Sequence, residues 1–353
     1  MEFGLYTLSE LITDPATGRR VTAHRRLKET VAAARLADEA GFDVFGIGEH
    51  HRLDYAVSSP AVVLAAIAAV TKRIRLTSAV TVLGAADPVR AFEDFSTLDL
   101  LSDGRAELML GRGAFGEPFE LAGVPGDRYD AAFVENYALL QQLGARHRVS
   151  WSGSSRPPLR DAAIAPRPFQ ETIPAWIAVG GSRASAERAG RLGAPMVLAA
   201  LGGPIAGAVE TVRAYREAGA AAGHPPGVLR VALATHTYVG ATAQSARAEF
   251  HPFYTGYWAE ALGSPTSLAS ISRARFDQVT GPDAMLMVGS SQEIVDKILL
   301  QQELLGHDRF LAQLDIGAQP LSQVARTIER IAAEVLPHIA PVAATPRPAL
   351  ASL

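Results

Sequence analysis

The chain has no cysteine among its 353 residues, which excludes a disulfide framework, a thiolate zinc site and a catalytic thiol. Strong charge of one sign is also missing. A net charge of −3 with interspersed signs makes no long-range field for nucleic acid, and no run of Lys and Arg offers a backbone-binding stripe. Long apolar runs are absent too: the alanine-rich stretch from Ala61 to Val70 is far shorter than the ~20 residues a bilayer span needs. Met1 to Glu10 reads as a strand, without the charged, apolar and small-residue order of a signal peptide, so the expected location is the cytoplasm, with neither membrane nor nucleic acid as partner. The first strand-to-helix turn also lacks the G-x-G-x-x-G that an open dinucleotide-binding sheet would carry there.

What is present is a large apolar complement, 48% of residues against 20% charged, enough to bury a sizeable core. Its pattern alternates. Strand-like segments at Glu2 to Leu8, Asp43 to Gly48, Ile74 to Leu83, Arg105 to Leu110, Ala175 to Val179, Pro195 to Leu201, Leu229 to Val239 and Arg309 to Ile316 are each followed by apolar residues at helical spacing. Helices are expected at Ala23 to Ala40, Ser58 to Val70, Pro88 to Leu101, Asp127 to Leu143, Ala184 to Leu192, onward to Ala222, and at Leu321 to Leu336. Eight such units imply parallel strands with crossover helices that close on themselves, an α/β TIM (β/α)8 barrel. Barrels of roughly 250 residues or more form one domain, so residues 1–340 are read as a single barrel domain and 341–353, rich in Pro and Ala, as a flexible tail.

Two stretches exceed what a barrel needs and are expected to cover its mouth. Residues 148–169 carry Trp151 and a Pro- and Arg-rich segment read as an irregular hairpin. Residues 249–286 place Phe250, Phe253, Tyr254, Tyr257 and Trp258 at helical spacing. Those five rings are either ordinary core or a wall over a bound planar ring or an apolar substrate.

Barrel chemistry sits at the C-terminal ends of strands. There the second strand offers Glu49, His50 and His51, either as a metal site, as a hydrogen-bonded histidine, or as an imidazole able to move a proton beside a cofactor. The fourth ends in Gly111-Arg112-Gly113, which lets an anion approach a guanidinium. The fifth ends in Gly180-Gly181-Ser182 at the start of a helix, where backbone N–H groups suit a phosphate; a plain N-cap is the other reading. Gly202-Gly203 competes but is followed by Pro204, and Ser290 with Glu293 reads as a self-satisfied capping box. On the seventh strand, alternation puts His236 on the side of Ala234 and Tyr238, towards the barrel axis or into the core.

Phe45 to His51, Ile74 to Leu83, Asp87 to Arg90 and above all Thr97-Leu98-Asp99-Leu100-Leu101-Ser102-Asp103-Gly104-Arg105, leading to Gly113, resemble the bacterial luciferase-like flavin-dependent monooxygenases in order and spacing. Val179 to Ser182 and Val288 to Glu293 resemble later landmarks of that family, so the likeness runs nearly to Leu336. The resemblance implies a barrel that binds reduced FMN, or in some members a reduced deazaflavin, across the strand ends. It implies that His50 stands near the reacting ring, with Glu49 beside it, and that Ser78-Ala79 is the site of a non-proline cis peptide against that ring. Arg112 with Gly180, Gly181 and Ser182 would hold the phosphate, and Gly111 stands where luciferases carry a cysteine. His236, Phe253, Tyr254 and Tyr257 would line the substrate pocket. No metal is implied. The expected activity is oxygenation of an apolar small molecule with reduced flavin from a separate reductase, and the expected assembly is a homodimer through the Ser58–Val70 and Pro88–Leu101 helices. Hydride transfer from a deazaflavin, a metal-dependent hydrolase built on Glu49, His50 and His51, and a flavin-binding protein without turnover are the rival readings.

Overall fold

The computed structural model describes residues 1–261 and 271–339. The expected tail at 341–353, and residues 262–270 of the second insertion, lie outside them. Eight strands close a parallel ring: β1 (Glu2–Thr7), β2 (Val44–Ile47), β3 (Arg75–Ser78), β4 (Ala106–Gly111), β5 (Ala175–Val179), β6 (Met196–Ala199), β7 (Val231–Gly240) and β8 (Arg309–Gln313). Each pairs with the next, and β8 returns to β1 with Glu2 opposite Arg309. The eight strands are those that the alternation predicts.

Around the ring pack α1 (Ala23–Ala40), α2 (Pro60–Ala68), α3 (Pro88–Leu101), α4 (Tyr129–Ala145), α5 (Arg183–Arg191), α6 (Ile205–Ala221), α7 (Ala243–Ala261), α8 (Ser291–Leu305) and α9 (Leu321–Arg330). Local chemistry sets their ends. The Thr22 hydroxyl accepts the Arg25 N–H at the start of α1, and the Asp87 carboxylate caps α3 ahead of Pro88. Residues 148–169 form the expected hairpin, Arg148–Trp151 against Leu159–Ala163.

The second excess stretch extends beyond the expected 249–286 at both ends: α7 begins before it at Ala243, a short helix lies within it at Arg273–Val279, and a strand follows it at Met287–Ser290, parallel to the far half of β7 from Thr237 to Gly240. β7 is therefore forked: its first residues close the barrel and its last carry this added unit.

Inside the ring, the floor is ionic. Arg309, 1% exposed, gives two hydrogen bonds to Glu107, at 2.7 and 3.2 Å, and its Nε reaches Glu2 at 2.8 Å. Arg75 also pairs with Glu107, at 2.9 Å, and Trp176 lies under the guanidiniums of Arg309 and Arg230. Burial alone would raise the Glu107 carboxyl, but the charges of Arg309 and Arg75 hold it below its ordinary value. Above this floor Tyr6, Val44, Met109, Val197, Ala234 and Leu311 fill the lumen. Higher still, on the β2 to β5 side, the inward positions are Gly48, Ala79, Gly111 and Gly180. Two of these positions are covered by neighbours, Gly48 by the Leu8 side chain and Gly111 by the Val80 side chain.

Replacing one member of a buried pair strands its partner, so Glu107→Gln is expected to cost about 3 kcal/mol in urea unfolding at pH 7. Because the folded carboxyl titrates below the unfolded one, the wild-type advantage is complete above about pH 4.3. It shrinks as the pH falls and is gone once native Glu107 takes up a proton. A constant difference down to pH 2 would contradict this account.

Candidate active site

On the β2 and β3 side the tight loop after Ile47 turns its side chains in different directions. The Glu49 carboxylate accepts the Val82 N–H at 3.1 Å and meets His51 Nε2 at 3.0 Å, so it ties two loops together. His50 turns the other way and stacks on Tyr55, ring centroids 4.1 Å apart, with Phe115 edge-on at 5.3 Å. The two imidazoles diverge, and among the described residues no group of three or more His, Asp or Glu gathers as a metal site. Burial pushes the His50 imidazole down to about 4, with Arg52 and His51 adding to the effect and Asp54 opposing it. His50 is therefore neutral at pH 7; it can exchange hydrogen bonds but is not poised to titrate there.

Ser78 is fully buried, and its hydroxyl bridges the β4 backbone, giving a hydrogen bond to the Met109 carbonyl at 2.9 Å and accepting the Met109 N–H at 3.2 Å. The non-proline cis peptide joins Ala79 to Val80, one bond later than the expected Ser78-Ala79. It falls between β3 and the short strand Thr81–Val82, where the chain crosses to pair with the end of β4. Gly111 faces this crossing. A Cβ there would stand 2.7 Å from the Val80 side chain, so no larger residue fits.

The β4 and β5 ends lie next to each other. Gly180, Gly181 and Ser182 are exposed. Gly181 has φ +87°, a backbone that favours glycine, but Gly180 does not, and nothing lies within 4 Å of where its Cβ would be. The fold alone does not require a glycine at 180. Ser182 caps α5 by accepting the Ser185 N–H and its carbonyl takes the Ala186 N–H, so the first-turn donors left without a helical partner are those of Arg183 and Ala184. Arg112 Nη1 and Arg188 Nη1 converge on one Asp130 oxygen, at 2.7 and 3.1 Å, and Arg188 also bonds the Ser185 hydroxyl at 3.1 Å. A continuous polar chain thus joins the β4 turn to the start of α5. Burial works against ionisation of Asp130, yet the two guanidiniums hold its carboxyl below the ordinary value.

Arg188 did not figure among the sequence candidates. Its signal is the i, i+3, i+6 series Ser182, Ser185, Arg188, which aligns the three on one helix face.

The β6 and β7 side is apolar. Next to Gly202 and Gly203 opens a cavity of about 360 Å³ walled by Leu201, Tyr254, Trp258, Ile271 and Val279, with Arg275 at its lip. Tyr254 and Trp258 stand between this space and His236, whose fully buried ring also touches Tyr257. Neither His236 nitrogen has a hydrogen-bond partner, and burial lowers its imidazole to about 3. Phe253 is buried as well, but it stands outside this ring cluster, with its carbonyl against Gly317. Across the mouth, Glu10 and Asp315 are buried carboxyls that no motif announced. Glu10 accepts Gln313 Nε2 and the Gly317 N–H, while Asp315 accepts the Thr7 hydroxyl.

A family model described as luciferase-like monooxygenase matches residues 1–308, and the chain belongs to that family of flavin-dependent enzymes. Among curated relatives, the oxygenase component of the flavin-dependent trigonelline monooxygenase of Acinetobacter baylyi is 25% identical, over 96% of this chain and 95% of its own. The solved monooxygenase RslO1 of Streptomyces bottropensis superposes with a TM-score of 0.80 at 28% identity, covering 96% of this chain and 99% of its own. Two more distant structures share the fold. The oxygenating constituent of 3,6-diketocamphane monooxygenase from Pseudomonas putida, in complex with FMN, has a TM-score of 0.76 at 20% identity, over 97% and 99% of the two chains. An F420-dependent secondary alcohol dehydrogenase has a TM-score of 0.74 at 17% identity, over 96% and 98%.

For His50, the folded value near 4 lies below the ~6.5 of an unfolded imidazole. The unfolded chain takes the proton first, so stability declines as the pH falls from about 6.5 to about 4. His50→Gln should remove part of that decline, with the buried His236 and His307 contributing to the remainder, and the His50 ring signals should titrate with a midpoint near 4. An NMR midpoint near 6.5 would contradict the burial described here.

Proposed function

We propose that the protein is the oxygenase of a two-component system that uses reduced FMN and molecular oxygen on an apolar small molecule. The observation that carries this reading is the convergence of Arg112 and Arg188 beside the open Gly180–Ser182 turn. The residues fit the group: two guanidiniums and the free donors at the start of α5 suit a phosphate, and the missing side chain at Gly180 leaves the backbone accessible to it. Asp130 holds both cations in place until the phosphate takes its position.

When bound, the reduced flavin supplies the electrons for oxygen activation. The chain's own residues then act in three ways. Neutral His50, held against Tyr55, exchanges a proton or hydrogen bond at its ring nitrogens. The aromatic face of α7 excludes water from the substrate side. His236 offers two unpartnered nitrogens behind that face. The A. baylyi relative is named as an oxygenase component, which supports a separate reductase for this chain. A homodimer through α2 and α3 is supported by exposed apolar residues on both, Val62 at 68% and Leu101 at 62%.

Arg112→Ala and Arg188→Ala should each weaken binding of reduced FMN by about 10- to 100-fold, the size of a lost charge-assisted hydrogen bond. They should leave riboflavin, which lacks the phosphate, almost unchanged. Asp130→Asn, which removes the competing carboxylate, should bind FMN at least as tightly as the wild type. Anaerobic titration checks all three, and equal affinity of the wild type for FMN and riboflavin would defeat the proposal. Parallel titration with reduced deazaflavin distinguishes the hydride-transfer reading.

A further inference from the structure

We infer that the cavity beside Gly202 and Gly203 is a binding site for an apolar molecule carrying a single anionic group, most simply a carboxylate, with Arg275 as its specificity-determining residue. The walls come first. Leu201, Tyr254, Trp258, Ile271 and Val279 present hydrocarbon and aromatic surface to a space of about 360 Å³, within the range of small-molecule pockets. Among the described lining residues Arg275 is the one charged side chain. Its Nη1 donates to the neutral Gln278 side-chain oxygen at 3.2 Å, and no carboxylate among the described residues lies at ion-pair distance. The neighbouring Arg273, in contrast, pairs with Asp277. Residues 262–270 and 340–353 contain no Asp or Glu, so no acidic side chain there can neutralise Arg275. A guanidinium without an ion-pair partner among the described residues, at the lip of an apolar cavity, is a recognition element for an anion.

The backbone next to it argues for a carboxylate over a phosphate. Pro204 has no N–H, the Ile205 N–H is given to the Asp283 carbonyl, and the Gly207 N–H to Pro204. The start of α6 therefore lacks the pair of adjacent free donors, Arg183 and Ala184, that the start of α5 keeps. The cavity and the phosphate cradle are chemically distinct. As a substrate pocket this site rests on the oxygenase reading above, but as an anion-selective pocket it stands without it.

The test uses the full chain without flavin and a matched pair of probes, 2-naphthoate and the uncharged 2-naphthalenemethanol, titrated by calorimetry. The wild type should bind the naphthoate about tenfold more tightly than the alcohol. Arg275→Gln should bring the two within about twofold, and Val279→Trp, which fills the space, should abolish binding of both. Neither variant should change the Kd for FMN by more than about twofold or alter the melting temperature. Equal binding of the pair by wild type, no binding of either, a preference that survives Arg275→Gln, or weakened FMN binding in that variant would each overturn the inference. A naphthoate preference in a protein that ignores FMN would uphold this pocket and overturn the flavin reading instead.

Discussion

Arg309 stands in the floor of the barrel, with both ends of its guanidinium on Glu107 and its Nε on Glu2. A closed ring of eight strands encloses a lumen that must be filled. Filling its lower end with charge joins β8 to β4 across the lumen and to β1 beside it, through bonds that only one register satisfies. The cost of desolvating those charges is met by geometry: three N–H donors on the Glu107 carboxylate, two from Arg309 and one from Arg75, and a tryptophan face beneath. With the bottom committed in this way, the ligand space is confined to the top.

Around that top the chemistry divides by strand. The β2 and β3 ends contribute a neutral imidazole in an aromatic stack and small inward residues. The β4 and β5 ends contribute cations and open backbone donors. The β6 and β7 ends contribute hydrocarbon, two rings in front of a buried histidine, and one lone cation at the lip. The division follows from the connections: each short loop delivers its side chains to one sector of the rim, and neighbouring strands deliver to neighbouring sectors.

The barrel itself was legible because its strands are buried on both faces and read as short apolar runs between amphipathic helices. The Ser290 and Glu293 capping box was legible for a related reason, since all its partners lie within four residues. What escaped the sequence was non-local or ambiguous. Met287–Ser290 is a strand only because the far half of β7 overshoots the ring, and no local pattern shows that excess. Glu10 and Gln313 meet across 303 positions, so no spacing announces them. Arg188 looks like any exposed helical arginine until Asp130 draws it towards Arg112. The cis bond, placed at Ser78-Ala79 from a family likeness, lies at Ala79-Val80, where β3 ends and the chain steps over to β4. Phe253 shares the helical spacing of Tyr254 and Tyr257, but at the edge of the stripe its backbone packs against Gly317 while theirs sit within the ring cluster.

The forked β7 has one more consequence. The chain leaves the barrel wall at Gly240 and returns at Ser290, which is paired with it in the same ladder. Everything between departs from and arrives at a single seam, so lengthening or exchanging that cassette adds little closure entropy and leaves the barrel ladder intact. Sequence change can therefore rewrite the apolar side of the rim while the β4 and β5 sector, built from other loops, is inherited unchanged.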